Sequence, residues 1–254
     1  MGKTALVSGG GRGLGAAIAK TLAREQVRIL LISRGSASLE ETLNELPGGE
    51  QHAGLALDLS QPNALNRVVE WVSGLGAQID VVINNVGGTL DVNDPLASWG
   101  QFQAVLDLNL GVAVELNRLF MPGMRERGWG RICHVSSISA LENQGPPSYC
   151  SAKAALNAYI RSVGRYVASD NVILTGIMPG AVLTDGGYWD VASSERPEHV
   201  KRYLSERMAI KRFGTEHEIA EAASFLVSDQ ASFLVGSVLL ADGGQGRVFQ
   251  AGLS

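Results

Sequence analysis

The chain has 254 residues, of which 45% are hydrophobic and 18% charged, and its formal net charge at pH 7 is -4. This composition indicates a globular protein with a sizeable core and excludes a disordered chain. The charge predicts no basic surface for nucleic acid or anionic lipid. No apolar run is long enough to cross a bilayer, no signal peptide is evident, and two cysteines indicate no disulfide framework. We therefore expect a cytoplasmic protein without nucleic-acid or membrane partners.

Short runs of mostly apolar, β-forming residues alternate along the chain with longer segments of helical spacing. Several runs are apolar throughout, which is typical of strands covered on both faces of a parallel sheet. The alternation predicts one α/β domain over residues 1–254, a doubly wound, Rossmann-like parallel sheet of about seven strands with helices on both faces. The predicted strands contain residues 5–7, 29–32, 55–57, 81–83, 132–135, 172–174 and 238–240.

One polar stretch interrupts this alternation. Residues 185–212 contain Tyr188, Trp189, Tyr203 and Met208 but no β run. We predict a helical insertion here that acts as a lid near the functional site. Tyr188 and Trp189 are suited either to line a substrate pocket or to pack the insertion itself.

A glycine-rich turn follows the first predicted strand and opens the first predicted helix. Its sequence is Gly9-Gly10-Gly11-Arg12-Gly13-Leu14-Gly15. Glycines tolerate positive φ and leave the backbone bare, so that amides at the helix N-terminus can approach a pyrophosphate. The turn predicts a dinucleotide site, although a plain tight turn also uses glycines.

The second predicted strand ends in Ser33-Arg34. In dinucleotide folds an acidic residue near this point binds the ribose 2′-hydroxyl, whereas an arginine accommodates a 2′-phosphate. Ser33 stands where the acid would be, and Arg34 and Arg12 supply guanidinium groups that match phosphate geometry. The pattern favours NADP(H) as cofactor. The alternative is that Arg34 is a solvated surface residue.

Tyr149 and Lys153 are four residues apart at the start of a predicted helix, so the phenol and the ammonium share one face. We expect the ammonium to lower the pKa of Tyr149 and bring it towards the range of a general acid or base. The pair alone is a frequent coincidence. However, the preceding strand ends in Ser136-Ser137, at the sheet edge where parallel sheets bind ligands, and a hydroxyl there can stabilise a substrate oxygen.

Together these motifs resemble the short-chain dehydrogenase/reductase family, in its compact single-domain branch, from Lys3 to about Gln245. Residues 84–87, Asn-Asn-Val-Gly, resemble the family's Asn-Asn-Ala-Gly, with Val86 in place of alanine. Asp242-Gly243-Gly244 resembles the exit of the family's last strand. The ordered set of motifs is far more specific than any one of them.

The resemblance implies a complete cofactor site. Asp58 and Leu59 would contact adenine, and the segment from Pro179 to Thr184 would lie along the nicotinamide. The predicted NADP(H)-binding residues are Gly9, Arg12, Gly13, Leu14, Gly15, Ser33, Arg34, Asp58, Leu59, Asn85, Val86, Gly87, Tyr149, Lys153, Pro179, Gly180, Val182 and Thr184.

The resemblance also implies catalytic roles. Tyr149 would protonate a carbonyl oxygen or deprotonate an alcohol, Lys153 would bind the nicotinamide ribose, and Asn109 would hold a water in a proton relay. Ser136 and Ser137 compete for the role of orienting the substrate oxygen. Spacing back from Tyr149 favours Ser136, whereas matching the strand favours Ser137. We choose Ser137, because a loop loses a residue more easily than a strand changes register.

The predicted function is NADP(H)-dependent reduction of a ketone on a small molecule, similar to that of 3-oxoacyl-thioester reductases. An alternative is NAD(P)-dependent oxidation of a sugar, a cyclitol or another secondary alcohol. A third hypothesis, a non-catalytic dinucleotide-sensing regulator, is disfavoured by the complete catalytic set. No cluster of residues has metal-ligand spacing. The family's compact members are commonly homotetramers, so we expect a homotetramer, or a homodimer.

Three other polar residues are assigned no chemistry. His134 lies inside an apolar strand and is predicted to be a structural histidine. His52 and Asp80 are predicted to lie at the surface. We expect substrate specificity to reside in residues 91–100, 141–147 and 185–212, because loops carry specificity in such folds.

Overall fold

A computed structural model describes residues 2–142 and 144–247; Met1, Asn143 and residues 248–254, which the predicted domain includes, lie outside the described residues. Seven parallel strands form the main sheet in the order β3-β2-β1-β4-β5-β6-β9. The predicted fold class, a doubly wound parallel sheet of about seven strands, is confirmed. The strands are β1 (Thr4–Ser8), β2 (Arg28–Ser33), β3 (Ala53–Ala56), β4 (Val81–Asn84), β5 (Gly130–Val135), β6 (Val172–Pro179), β7 (Val182–Leu183), β8 (Gly214–Thr215) and β9 (Val238–Ala241).

Helices connect the strands and cover both faces of the sheet. A π-helical turn over Asp107–Gly111 joins α4 to α5. The helices are α1 (Gly13–Arg24), α2 (Ser36–Asn44), α3 (Ala64–Gly74), α4 (Trp99–Leu106), α5 (Val112–Glu126), α6 (Pro147–Val167), α7 (Tyr188–Glu195), α8 (Pro197–Arg207) and α9 (Glu216–Leu226). None of the helices in this described part of the chain is long and apolar enough to span a membrane.

The sheet separates two hydrophobic cores. Leu6 of β1 packs in a cluster with residues of α3, α5 and α6, whereas its neighbours Ala5 and Val7 pack in a second cluster with residues of α1 and α9. Successive side chains of a strand point to opposite faces. Both faces are covered here, which explains why the strand sequences are apolar throughout instead of alternating.

The order of the strands reverses between β1 and β4, and this opens a crevice at their carboxyl ends. Ser8 fastens the two strand ends together. Its Oγ donates to the carbonyl oxygen of Ile83 at 3.1 Å and accepts from the amide of Asn85 at 3.0 Å. The segment that begins with Asn85 is thereby held at the edge of the crevice.

The region predicted to be a helical insertion contains α7 and α8. The two ends of the insertion lie next to each other, because β7, which precedes it, pairs in parallel with β8, which follows it. Inside it, the ring centroid of Trp189 lies 4.2 Å from that of Tyr203 and 4.9 Å from that of Phe213. The aromatic residues therefore pack the insertion together, and its action as a lid stays a prediction.

The prediction that His52 and Asp80 lie at the surface is wrong, since they are only 9% and 8% exposed. Each side chain satisfies a backbone amide of a buried strand. Nδ1 of His52 accepts from the amide of Ile29 at 2.9 Å, and a carboxylate oxygen of Asp80 accepts from the amide of Thr4 at 3.0 Å. Such bonds to buried strand amides are not visible in a hydrophobic pattern.

His134 is a buried, hydrogen-bonded residue of β5, as predicted. Its Nδ1 lies 3.2 Å from the carbonyl oxygen of Thr175, and its Nε2 lies 3.0 Å from the Asn117 amide nitrogen. Since a carbonyl only accepts and the amide nitrogen only donates, Nδ1 carries the proton and the ring is neutral.

We predict that this histidine makes the stability of the fold depend on pH. Burial lowers the pKa of His134 from 6.5 to about 4. Between these two values the unfolded chain binds a proton that the folded protein does not, so the free energy of unfolding falls as the pH falls from 6.5 to 4. The loss is on the order of 3 kcal/mol.

Denaturant unfolding of the wild type and of His134→Gln between pH 4 and 8 measures this effect. The variant keeps an amide for hydrogen bonding but does not titrate, so its stability should decline less steeply below pH 6.5. Parallel declines in the two proteins would contradict the prediction.

Candidate active site

One cleft of about 1220 Å³ lies at the carboxyl edge of the sheet. All predicted site residues line it except Gly15 and Asn109, which lie behind its wall. The cleft is also lined by residues that were not predicted to belong to the site, namely Ile32, Gly35, Ser38, Leu57, Gly88, Leu90, Leu108 and Val135. The cleft therefore brings together motifs that are spread over 175 positions of the chain, from Gly9 to Thr184.

The glycine turn forms one wall of this cleft. Gly9 and Gly13 adopt positive φ values of 66° and 58°. A Cβ on Gly15 would lie 2.2 Å from the carbonyl oxygen of Gly9, so only glycine permits this close approach of α1 to the turn. The N-cap residue of α1, Arg12, makes no side-chain hydrogen bond to the first turn of the helix. The first backbone amides of α1 are therefore available to an anion. The wall fits a pyrophosphate.

The next part of the cleft presents cationic and hydroxyl groups. Arg34 is exposed, and Ser33 and Ser38 line the cleft beside it. Gly35 is the N-cap of α2 and provides no side-chain cap, so this helix N-terminus also favours an anion. A hydrogen bond from Ser60 and the nearby charge of Arg34 lower the pKa of Asp58. This end is suited to a phosphate next to an adenosine.

Lys153 occupies the opposite part of the cleft and is only 3% exposed. Its Nζ donates to the carbonyl oxygen of Val135 at 2.8 Å, and burial lowers its pKa to about 8. Gly87 lies against it, since a Cβ at that position would be 3.0 Å from Nζ and 2.6 Å from Oδ1 of Asn109. The glycine therefore allows the backbone of the 84–87 motif to approach the ammonium.

Asn109 lies in the π-helical turn between α4 and α5 and is buried. Its Nδ2 donates to the carbonyl oxygens of Gly88 and Val105, both at 2.8 Å, and its Oδ1 accepts from the amide of Gly88 at 3.0 Å. The side chain thus holds the segment after the Asn-Asn-Val-Gly motif in place. Single π-helical turns within helices are frequent at functional sites.

Tyr149 lines the cleft on α6, with its ring centroid 5.6 Å from Nζ of Lys153. Burial raises the pKa of Tyr149, and the interaction with the Ser137 hydroxyl acts in the opposite direction. The pKa of Tyr149 is therefore raised and not lowered as expected from the four-residue spacing. The ammonium lies over the ring and donates to Val135, while burial of the phenol dominates.

The two serines after β5 have different surroundings. Ser136 is buried, and its Oγ donates to Oδ1 of Asn157 at 2.7 Å. Ser137 is half-buried; its Oγ accepts from the amide of Ser139 at 3.1 Å and interacts with the phenol of Tyr149. Both serines line the cleft, but the Ser137 hydroxyl lies beside Tyr149, whereas the Ser136 hydroxyl is bonded to Asn157.

A strained turn adds to the wall near Tyr149. Leu90 and Asp91 both have positive φ, 52° and 56°, and the amide of Val92 donates to the carbonyl oxygen of Thr89 at 3.0 Å. This is the arrangement of a type I′ turn, which ordinarily takes Asn or Gly. Val92 packs in the small core that borders Tyr149, so the turn lies at the Tyr149 end of the cleft.

Metal chemistry has no visible centre here. In residues 2–142 and 144–247, no group of three or more His, Cys, Asp or Glu side chains could hold a metal ion.

Trp189 and Tyr188 of α7 line the cleft, so the rings that pack the insertion also border the site.

Comparisons with known proteins agree with this geometry. The family model for short chain dehydrogenases matches residues 3–188. A 3-oxoacyl-[acyl-carrier-protein] reductase of Pseudomonas aeruginosa is 31% identical over 245 residues, covering 96% of this chain and 97% of the relative.

Two solved structures are similarly close. One is a 3-oxoacyl (acyl-carrier-protein) reductase from Agrobacterium tumefaciens C58 with NADP bound, with a TM-score of 0.87 at 31% identity, covering 96% of this chain and 94% of that one. The other is L-sorbose reductase from Gluconobacter frateurii, complexed with NADPH and L-sorbose, with a TM-score of 0.88 at 31% identity, covering 96% of both chains.

The matched region contains the glycine turn, the serine pair, Tyr149 and Lys153, which meet in one cleft. The family predicted from the motifs is confirmed. The chain is a member of the short-chain dehydrogenase/reductase family and an oxidoreductase acting on CH–OH and C=O groups.

Proposed function

We propose that the protein is an NADP(H)-dependent reductase that converts a ketone into a secondary alcohol, with Tyr149 as general acid. One observation carries the proposal: the Tyr149 phenol, the Ser137 hydroxyl and the buried ammonium of Lys153 lie together in the cleft that contains the glycine turn. A polar triad of this kind can bind and protonate one oxygen atom.

The walls of the cleft contain glycines at positions where a Cβ would collide with the neighbouring backbone or with Asn109. The backbone of these walls is therefore uncovered by side chains, and this fits a dinucleotide. The glycine turn, with Leu14 and Gly15, would hold the pyrophosphate, and Asp58 and Leu59 the adenine. The nicotinamide riboside would be held by the amides of residues 85–87, by Lys153, and by the segment with Pro179, Gly180, Val182 and Thr184. When bound, NADP(H) would supply or accept the hydride.

Side chains of the cleft would donate a proton to the substrate oxygen and help to replace it. Burial keeps the Tyr149 phenol protonated, which is the form that donates a proton to a carbonyl oxygen. Ser137 would donate a hydrogen bond to the same oxygen as negative charge develops. The ammonium of Lys153 would stabilise the phenolate that remains, and Asn109, through a bound water, would help to return the proton. In the oxidising direction the phenolate would take the proton of an alcohol.

The substrate class that we favour is a 3-oxoacyl thioester, because relatives of this activity match the chain from end to end. A sugar, cyclitol or other secondary alcohol is the second candidate. It is supported by the L-sorbose reductase of equal identity. It is also supported by the cleft, where the Asp91 carboxylate can accept hydrogen bonds from hydroxyls and the Tyr188 and Trp189 rings can stack on a sugar.

We also propose a homotetramer as the working assembly. Large apolar side chains are exposed at three places that such an assembly would cover: Trp99 at the start of α4, Tyr166 near the end of α6, and Leu239 of β9. Exposed apolar groups of this size are suited to contacts between subunits.

Replacing Tyr149 with Phe tests the mechanism. The variant should lose turnover by at least ~100-fold, because the proton donor is gone, while NADPH binding persists. The measurement is NADPH consumption over a panel of acyl thioesters, cyclic ketones and keto-sugars, with NADPH titration by fluorescence. Tyr166→Phe, on the same helix but not among the residues that line the cleft, is the matched control, because it removes a phenol hydroxyl and keeps the ring that the proposed assembly would cover. A Tyr149→Phe enzyme with wild-type turnover would refute the assigned role, and tight NADPH binding without turnover of any panel member would favour a dinucleotide-sensing regulator.

Replacing Ser136 and replacing Ser137 should have different effects on turnover and on stability. Ser137→Ala should lower kcat by ~100-fold or more, since it removes the hydroxyl beside Tyr149. Ser136→Ala leaves Oδ1 of Asn157 without its partner and should lower the free energy of unfolding by about 1–3 kcal/mol, with turnover largely kept. Kinetics and denaturant unfolding of both variants measure this. The opposite pattern would show that Ser136 is the catalytic serine.

Arg34 should carry the preference for the phosphorylated cofactor. Charge-assisted hydrogen bonds contribute about 1.5–3 kcal/mol, so Arg34→Ala should weaken NADPH binding by ~10- to 100-fold and leave NADH binding nearly unchanged. Isothermal titration with both cofactors gives the comparison, and Arg24→Ala at the far end of α1 is the control. A wild type that binds NADH more tightly than NADPH would remove this assignment.

A further inference from the structure

Gln245, a residue outside the catalytic motifs, is buried and joins three separate segments of the chain. It is only 2% exposed. Its Oε1 accepts from the amide of Ala181 at 2.7 Å, and its Nε2 donates to Oε1 of Gln144 at 2.6 Å and to the hydroxyl of Tyr203 at 2.7 Å. Both amide hydrogens and the carbonyl oxygen are therefore in use.

The turn after β9 directs this side chain inwards. Gly243 and Gly244 have positive φ values of 60° and 74°. The carboxylate of Asp242 accepts from the amides of Gly244 at 3.0 Å and Gly246 at 2.7 Å. The Asp-Gly-Gly motif thus forms a turn that most other residues would strain, and the turn presents Gln245 to the interior.

The first partner belongs to the wall predicted to face the nicotinamide. Ala181 follows Gly180, which lines the cleft. Oε1 of Gln245 is also close to that glycine, since a Cβ on Gly180 would lie 2.6 Å from it. The side-chain amide of Gln245 therefore holds the backbone in position where the chain leaves β6 and borders the cleft.

The second partner belongs to the insertion. Tyr203 lies on α8, and the ring that carries its hydroxyl packs against Trp189 with centroids 4.2 Å apart. Trp189 lines the cleft. Gln245 consequently holds α8 by a hydrogen bond, and α8 in turn supports the aromatic wall of the site.

The third partner belongs to the loop between Ser137 and Tyr149. The carbonyl oxygen of Gln144 accepts from Oγ of Ser139 at 2.6 Å, and the amide of Ser139 donates to Oγ of Ser137 at 3.1 Å. Hydrogen bonds therefore link Gln245 to the Gln144 side chain, the Gln144 backbone to Ser139, and the Ser139 backbone to the hydroxyl beside Tyr149.

We propose that Gln245 is a positioning residue that sets the nicotinamide wall, the α8 insertion and the serine loop in one mutual arrangement. It touches no reacting group, and it acts through Ala181, Tyr203 and Gln144. A buried polar group with every bond satisfied favours one arrangement of its neighbours, because any other arrangement leaves an unpaired amide in the interior. Supporting shells of this kind hold site residues in productive geometry.

Hydrogen exchange tests the linkage directly. Gln245→Leu keeps the volume and removes all three bonds, so exchange should rise by ~10-fold or more both at the Ala181 amide and along α8, with β1 and β4 unchanged. Tyr203→Phe removes the bond between α8 and Gln245 and the 3.4 Å bond from the Tyr203 hydroxyl to Oε1 of Gln144, and it keeps the Ala181 bond and the ring against Trp189. It should raise exchange along α8 while the Ala181 amide stays protected. Gln230→Leu, at an exposed glutamine, is the matched control.

The consequence for turnover rests on the proposed function and is measured separately. With the panel substrate that the wild type reduces best, Gln245→Leu should raise KM for the carbonyl compound by ~10-fold and change the Kd of NADPH by less than about threefold, because the anion-binding walls do not contact it. Absence of wild-type turnover would refute the proposed function and leave the exchange experiment valid.

Three results would overturn the proposal. The first is exchange in Gln245→Leu that equals the wild type at both segments. The second is exchange that rises equally throughout the sheet while Tyr203→Phe has no local effect at α8, since that pattern marks a residue needed only for folding. The third is altered exchange with an unchanged KM for the carbonyl compound.

Discussion

A positive charge held inside the protein is the constraint on which the site depends. The Lys153 ammonium is almost fully buried, and among residues 2–142 and 144–247 its recorded hydrogen-bond acceptor is the carbonyl oxygen of Val135. Burial disfavours the charged form and lowers the pKa of Lys153 to about 8. An ammonium has three hydrogens to donate, so this group is prepared for further oxygen acceptors such as ribose hydroxyls and a phenolate.

The surrounding backbone is shaped to leave room for those acceptors. Gly87 has no Cβ to approach the ammonium, and Asn109 holds the next residue, Gly88, by both its amide and its carbonyl group. Asn109 in turn is presented by a π-helical turn, a local deviation from regular helix that places its side chain behind the cleft. The strained turn at Leu90 and Asp91 continues the same wall.

The hydroxyls of Tyr149 and Ser137 differ in their surroundings and in their proposed roles. Burial raises the pKa of Tyr149. In the proposed mechanism, developing negative charge on the substrate oxygen, with the ammonium nearby to stabilise the phenolate, makes release of the phenol proton favourable. Ser137 is free of the interior hydrogen bond that holds Ser136. In the proposed function, one strand end provides one structural serine and one serine directed at the reaction.

Local patterns explain how much could be predicted from the sequence. Strands covered on both faces are apolar throughout, so the fold class was readable. The position of the glycine turn between a strand and a helix predicted one wall of the cleft, and its role in binding a dinucleotide stays a prediction. The different surroundings of Ser136 and Ser137 were not readable, because they depend on Asn157, a partner 21 positions from Ser136.

Long-range partners account for what the sequence analysis missed. Gln245 is one polar residue near the end of the chain, and its importance arises from bonds to segments 42, 64 and 101 positions away. His52 and Asp80 were misassigned for the same reason, since they pair with strand amides far along the chain. The strain at Leu90 has no glycine or asparagine to signal it. The pKa of Tyr149 was predicted in the wrong direction because burial cannot be read from a four-residue spacing.

The central claim, that a buried ammonium at Lys153 organises the site, is most directly tested by NMR titration of the lysine side chains. The chain has five lysines, so ¹³Cε resonances can be resolved and assigned. The account predicts one resonance that titrates near pH 8, that disappears in Lys153→Met and that shifts when NADPH binds. Titration of the Lys153 resonance near the ordinary value of about 10.4 would contradict it.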